Sequence, residues 1–265
     1  MDPVDHASAE YAFANVWDRG EERLRAIERW LDPGTTRVLA ALGVRPGWRC
    51  WEAGAGAGSV ARWLAGAVGP EGQVIASDLD PSLIADDISS AMRVIEHDVV
   101  NEPPPDGPFD LVHCRLLLAQ LADRRHVLEQ MASVLKPGGC VMVEEMDFVA
   151  VATDAGRDGG TALVESVAAS NAVLVGHGFD PWYGRRLHDD LNAVGLVGVA
   201  SDGRCQIWNG GSSGARALQL TFEELRDEMV AGGTSPVTID TAIGVLADPT
   251  RSFMSQVTMA AWGFR

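Results

Sequence analysis

A chain of 265 residues, 46% of them hydrophobic and 22% charged, is long enough to bury a substantial core, yet no apolar run reaches the roughly 18 to 20 residues of a membrane helix. Its 21 Lys and Arg against 37 Asp and Glu give a formal charge of −16, a field that repels phosphate backbones and argues against nucleic acid as a partner. The acidic start MDPVDHASAEYAF lacks the basic residues and apolar stretch of a secretory signal, which points to a cytoplasmic protein acting on small molecules.

The first predicted element is helical. Val16, Leu24, Ile27 and Leu31 recur at helical spacing among charges, and DPGT at 32–35 ends the segment with turn chemistry, defining an N-terminal arm over 1–35. Five short strand-like runs follow at 49–53, 73–78, 93–97, 109–113 and 140–146. SVARWLAGAV and RRHVLEQMASVL stand between two pairs of them as helices. Strand, helix, strand repetition predicts a parallel sheet covered on both faces, with a cofactor-binding core over 36–150. PSLIADDISSA holds only a couple of helical turns, NEPPPDGP is an extended loop, and KPGG at 136–139 stops a helix and turns directly into a strand.

Residues 151–265 complete the same single domain. TALVESVAASNAVLVGHG and GRRLHDDLNAV read as helices, and a sixth strand is expected over 197–208. NGGSSG then opens a helical insertion over about 209–250, and FMSQVTMAAWGF forms the last strand. Cys50, Cys114, Cys140 and Cys205 lack metal-ligand spacing and lie in or beside apolar runs, so they read as buried reduced thiols. No complete ligand set for a metal is visible, and none is expected.

The chemistry concentrates in WEAGAGAGSVARWL. A glycine turn between a strand and a helix lets backbone approach a ligand without Cβ clashes, and the helix amino terminus offers free amides. Simple tight packing would use the same glycines. A dinucleotide fingerprint, however, wants glycine or alanine where Ser59 stands, and Glu52, two residues before Gly54, suits an ammonium better than a phosphate. Asp78 ends the second strand, where a carboxylate accepts from ribose hydroxyls, while Asp80 reads equally as a helix cap. Asp98 follows the third strand, either accepting from an adenine amino group with Val99 beside the ring or capping the strand end.

Taken in order, WEAGAGAGS, SDLDP, EHD, FDLVHCRLLL and LKPGGCVMVEE resemble the class I S-adenosylmethionine-dependent methyltransferases, and YAFANVWDRGEERL resembles the arm that precedes such domains in bacterial small-molecule enzymes. The resemblance implies a Rossmann-like α/β fold: seven mostly parallel strands with an antiparallel last one, helices on both faces, an N-terminal helical arm and a helical insertion before the last strand. It implies S-adenosylmethionine as cofactor and S-adenosylhomocysteine as product. Glu52 and the backbone of Gly54, Ala55 and Gly56 would hold the methionine part, with Ser59 of the same turn also at the cofactor. Asp78 and Leu79 would hold the ribose, Asp98 and Val99 the adenine, and Cys114 with Arg115 would line the cofactor after the fourth strand. The abbreviated helix after SDLDP departs from the family pattern on the adenine side.

For the acceptor side, the layout directs the segments after the fourth, fifth and sixth strands, with the arm, over one pocket suited to a small organic acceptor methylated on O, N or C, as in secondary metabolism. His113 and Asp147 are the candidate bases, each against a purely structural role at a strand end. Tyr11 and Trp17 either close over the cofactor or pack the arm. His177 compensates a helix dipole, and Trp182 with Tyr183 shapes an aromatic pocket or fills the core. Two other functions stand beside this one: an NAD-dependent oxidoreductase, and a protein of the same fold that binds the cofactor without methylating. Monomer and homodimer are both open.

Overall fold

The computed structural model describes residues 19–84, 89–148 and 154–265; Tyr11, Val16 and Trp17 lie outside them. Five strands, β1 (Arg49–Ala53), β2 (Gln73–Asp78), β3 (Met92–Glu96), β4 (Phe109–Arg115) and β5 (Leu135–Asp147), are parallel. With β6 (Val197–Arg204) and β9 (Val257–Phe264) they form a seven-stranded sheet in the order β3-β2-β1-β4-β5-β9-β6. The last strand, β9, runs antiparallel to both neighbours. This is the sheet expected from the sequence.

The two-residue period of a strand divides the core into two layers. Cys50, Leu111, Cys140 and Met142 project toward α1 (Gly20–Ala41) and α2 (Ser59–Val68), where Val38, Leu39, Val60 and Leu64 meet them. Trp51, Val112, Cys114 and Val143 project the other way, onto Val127, Leu128 and Met131 of α3 (Arg124–Ser133) and Leu187 and Leu191 of α5 (Leu187–Ala193). Complete burial of leucines such as Leu64, Leu111 and Leu128 contributes ~1.5–3 kcal/mol each. Adjacent residues of β5 consequently face opposite layers: Glu144 toward α1, Glu145 toward α3. Both carboxyls are fully buried.

Several details differ from the sequence reading. DPGT does not end α1, which continues through Pro33 to Ala41. The proline forgoes one helical amide bond, but the turn is held by what it carries: Thr35 donates to Glu144, and a Cβ at Gly34 would stand 2.6 Å from the guanidinium carbon of Arg204. The expected sixth strand is two, β6 and β7 (Ile207–Asn209), and the expected last strand is likewise β8 (Ser252–Met254) followed by β9. The break is made by Ser255, whose hydroxyl accepts from the Gln206 amide at 3.0 Å in place of a ladder carbonyl. β5 begins before KPGG, with a register shift between Phe109 and Leu111. Cys205, finally, is exposed, whereas Cys50, Cys114 and Cys140 are buried; burial pushes all three buried thiols up, Cys140 to about 12.

β7 and β8 pair as a separate two-stranded ribbon, the neck of the insertion. From it spring α6 (Ser213–Glu224), α7 (Arg226–Ala231) and α8 (Pro236–Ala247), which pack with α4 (Gly160–Gly176). Arg23 of α1 meets Glu224 of α6 at 3.0 Å, and Arg216 meets Glu22 at 2.8 Å, so the insertion is tied to the first helix. The connection after β2 is a single 3-10 turn, Pro81–Leu83, in the described residues, capped by Asp80. Among the described residues no helix is long and apolar enough to cross a membrane.

Candidate active site

A cavity of about 990 Å³ opens beyond the carboxyl ends of β1 to β5, with α1, α4 and α6 contributing its outer wall. That volume lies at the upper end for small-molecule sites. Its floor is the glycine turn. Gly54 and Gly56 both have positive φ, +68° and +56°, and a Cβ at Gly54 would stand 3.1 Å from Leu117. The Gly56 amide donates to Asp78 at 2.8 Å and the Asp80 amide donates to its other oxygen at 3.1 Å, which fixes the Asp78 carboxylate at the end of β2. Burial raises this carboxyl above the usual range, against the pull of the two amides.

Of the residues expected at a cofactor, Glu52, Gly54, Ala55, Gly56, Asp78, Leu79, Asp98, Val99 and Arg115 line the cavity. Leu79 is 63% exposed and Val99 buried, so they present apolar surface from opposite depths. Asp98 serves chiefly as a turn: its carboxylate accepts from the Val100 and Asn101 amides at 2.9 and 3.2 Å and from the Asn101 side chain at 2.8 Å. Although desolvation opposes them, these bonds hold its carboxyl below the usual range.

Ser59 and Cys114 do not line it. Cys114 points into the α3 layer. Ser59 is a clasp: its amide donates to Glu28 at 3.0 Å and its hydroxyl donates to Asp32 at 2.9 Å. The amino terminus of α2, the place where a pyrophosphate would bind in a dinucleotide fold, is thus occupied by a carboxylate of α1. Arg115 joins the clasp, donating to Asp32 at 3.0 Å and to Thr35 at 2.9 Å.

Behind the floor lies a buried chain of charge. Glu52 accepts from His113 Nδ1 at 2.7 Å, His113 Nε2 stands 3.9 Å from Glu144, and Glu144 accepts from Arg204. Burial alone would lower His113, but the Glu52 and Glu144 carboxylates hold it up at about 9. Burial would raise Glu144, but His113 with Arg204 and Arg115 holds it at about 2. His113 is thus fully buried outside the cavity wall, held between the Glu52 and Glu144 carboxylates, and the expected base role does not fit that placement. Asp147 is no better placed. It also lies outside the wall and accepts from Arg185 at 2.6 Å. Glu145, raised to about 8 by burial, accepts from the Ala119 amide and props the loop after β4.

The outer half of the cavity comes from residues the sequence did not single out. Trp30, Phe148, Leu174, Phe179, Trp208 and Leu218 give it an apolar wall, with Trp30 and Trp208 edge to face at 4.7 Å. Trp182 is 47% exposed and Tyr183 is in the core, so neither shapes it. His177, which caps α4, does line it and is paired with Glu228 of α7 at 2.8 Å. The helical spacing of Leu24 and Ile27 was the one available signal for this half. It marks the face of α1 turned toward the cavity.

Residues 51–139 match the family described as methyltransferase domain. The ubiquinone/menaquinone biosynthesis C-methyltransferase UbiE of Ectopseudomonas mendocina is 32% identical over 111 residues, 39% of this chain and 43% of that protein, so the chain spans less than half of this curated relative. A cyclopropane-fatty-acyl-phospholipid synthase-like protein from Lactobacillus casei shares the fold over 94% of both chains at TM-score 0.58 and 16% identity. Phosphoethanolamine N-methyltransferase 2 of Haemonchus contortus, solved with phosphomonomethylethanolamine and S-adenosylhomocysteine, shares it over 91% of this chain and 56% of its own at TM-score 0.57 and 14% identity. The matched core over 51–139 and the seven-stranded sheet are those of the class I S-adenosylmethionine-dependent methyltransferases.

Proposed function

We propose that the protein binds S-adenosylmethionine across the inner half of the cavity and transfers its methyl group to a small organic acceptor in the outer half. The observation that carries this reading is the pairing of Asp78, fixed by the Gly56 amide, with a helix terminus already capped by Glu28. The first suits ribose hydroxyls; the second leaves no anion site for the pyrophosphate of a dinucleotide. Asp78 would hold the ribose, Val99 and Leu79 the base, and Glu52 the ammonium end.

The bound cofactor supplies an activated methyl on sulfur, so the chain's work is placement. Gly54 and Gly56 let the backbone approach. Glu52 and Asp78 set negative charge around a cationic ligand. Trp30, Phe148, Phe179 and Trp208 exclude water from the outer half and orient an apolar acceptor. Neither His113 nor Asp147 is required to act as a base. The names of the relatives, a quinone-pathway C-methyltransferase and a phosphoethanolamine N-methyltransferase, belong to those proteins and fit the same division of a cavity between cofactor and small acceptor.

Titration calorimetry separates the alternatives. S-adenosylhomocysteine is expected to bind with a Kd in the micromolar range, about −8 kcal/mol, and NADH not to bind. Binding of NADH in preference would overturn the proposal in favour of an oxidoreductase. Methyl-labelled cofactor incubated with a metabolite mixture should then yield a labelled product, and its absence despite tight cofactor binding would point to a protein that only binds.

A further inference from the structure

Three histidines line the cavity: His97, His126 and His177. His97 sits at the nucleoside end, between Trp51 at 5.9 Å and the Pro103 carbonyl, to which its Nε2 donates at 3.0 Å. His126 is exposed and hydrogen-bonded to Gln130. His177 alone has a carboxylate on one ring nitrogen. Glu228 can only accept, so the bond of 2.8 Å fixes the proton on Nε2 and leaves Nδ1 as the lone-pair nitrogen of the neutral ring. Among the described residues Nδ1 has no hydrogen-bond partner.

A carboxylate, an oriented imidazole and a cavity are the parts of a general-base site. Resting on the methyltransferase reading, we propose that His177, positioned by Glu228, is the catalytic base of this cavity and that its acceptor is an apolar molecule carrying a phenolic or enolic hydroxyl. Phe148, Leu174 and Phe179 line the same cavity, Phe148 and Phe179 edge to face at 4.9 Å, and supply an apolar bed. The hydroxyl class follows from matched acidity: imidazole removes a proton from a phenol or enol far more readily than from an aliphatic alcohol. In the step, the O–H proton passes to Nδ1, the oxygen lone pair forms the bond to the methyl carbon, and the carbon–sulfur bond breaks, leaving its electrons on sulfur as a neutral thioether. The imidazolium, partly exposed, returns the proton to water.

Other charges around His177 are committed elsewhere. On α6, Glu224 meets Arg23 at 3.0 Å; between α7 and α8, Arg226 meets Asp240 at 2.7 Å; and Asp180, beyond the end of α4, holds Arg124 and Arg186. Asp123 and His126 line the same cavity. Glu228 is thus the charge that decides its tautomer.

4-Nitrophenol, whose phenolate is coloured, tests this in the protein saturated with S-adenosylhomocysteine. The bound phenol should ionise about 1 to 3 pH units below the free one, because its anion pairs with the His177 imidazolium. His177→Gln should return ionisation to the free value, and Glu228→Gln should shrink the displacement while both variants keep their affinity for S-adenosylhomocysteine. Failure of the phenol to bind, an unaltered ionisation, or the same displacement in His177→Gln would overturn the assignment. Failure of wild-type protein to bind S-adenosylhomocysteine would instead overturn the methyltransferase reading beneath it.

Discussion

Asp78→Ala lowers affinity for S-adenosylhomocysteine by about 10- to 100-fold, the ~1.5–3 kcal/mol of hydrogen bonds to a charged acceptor. The effect has two parts. The carboxylate that accepts from the ribose is lost, and the Gly56 amide, which donates to it at 2.8 Å, loses the partner that fixes the turn. Asp78→Asn distinguishes them, since an amide oxygen still accepts from Gly56 but lacks the charge. Calorimetry should therefore rank wild type above Asn above Ala, with thermal unfolding of the ligand-free proteins nearly unchanged for Asn. Equal affinity in Asp78→Ala would remove the ribose from this strand end.

The second large effect is on stability. Glu144→Ala leaves the His113 imidazolium and the Arg204 guanidinium buried without their shared carboxylate, a change of ~3–5 kcal/mol. At about 2–4 °C per kcal/mol for a chain of this size, the unfolding temperature should fall by about 6 to 20 °C. The pH dependence has a definite sign. Glu144 is lowered from 4.5 to about 2 on folding, so its contribution is complete above pH 4.5 and is lost as pH falls through about 2. His113 is raised from 6.5 to about 9, so its contribution is complete below pH 6.5 and is lost as pH rises through about 9. Both are present together between about pH 4.5 and 6.5. Urea unfolding across pH should show that plateau in wild type, with both limbs flattened in Glu144→Ala; identical profiles would mean that the buried charges do not interact.

The sheet was legible because its information is local and periodic. Strand-length apolar runs alternate with helices, and β1, β2 and β4 end where WEAGAG, ASD and HCR place their polar residues. The cavity floor was legible for the same reason: Glu52, Gly54, Gly56 and Asp78 lie at strand ends, and strand ends in a parallel sheet converge. What escaped was long range. Its place in the turn marks Ser59 as a ligand residue, but its partners Glu28 and Asp32 lie on a helix about 30 residues earlier. Its place on β4 marks His113 as a base, but the carboxylates that flank it come from β1 and β5. DPGT carries turn residues, yet tertiary contacts from Glu144 and Arg204 hold it helical. His177 pairs with Glu228 across 51 residues, a distance no local pattern reports.

A crystal structure of the protein with S-adenosylhomocysteine tests the central claim most directly. The account predicts the ribose hydroxyls on the Asp78 carboxylate, the adenine against Val99, the amino-acid end beside Glu52, and the Ser59 amide still donating to Glu28. A nucleoside bound away from Asp78, or a ligand carboxylate displacing Glu28 from the amino terminus of α2, would contradict it.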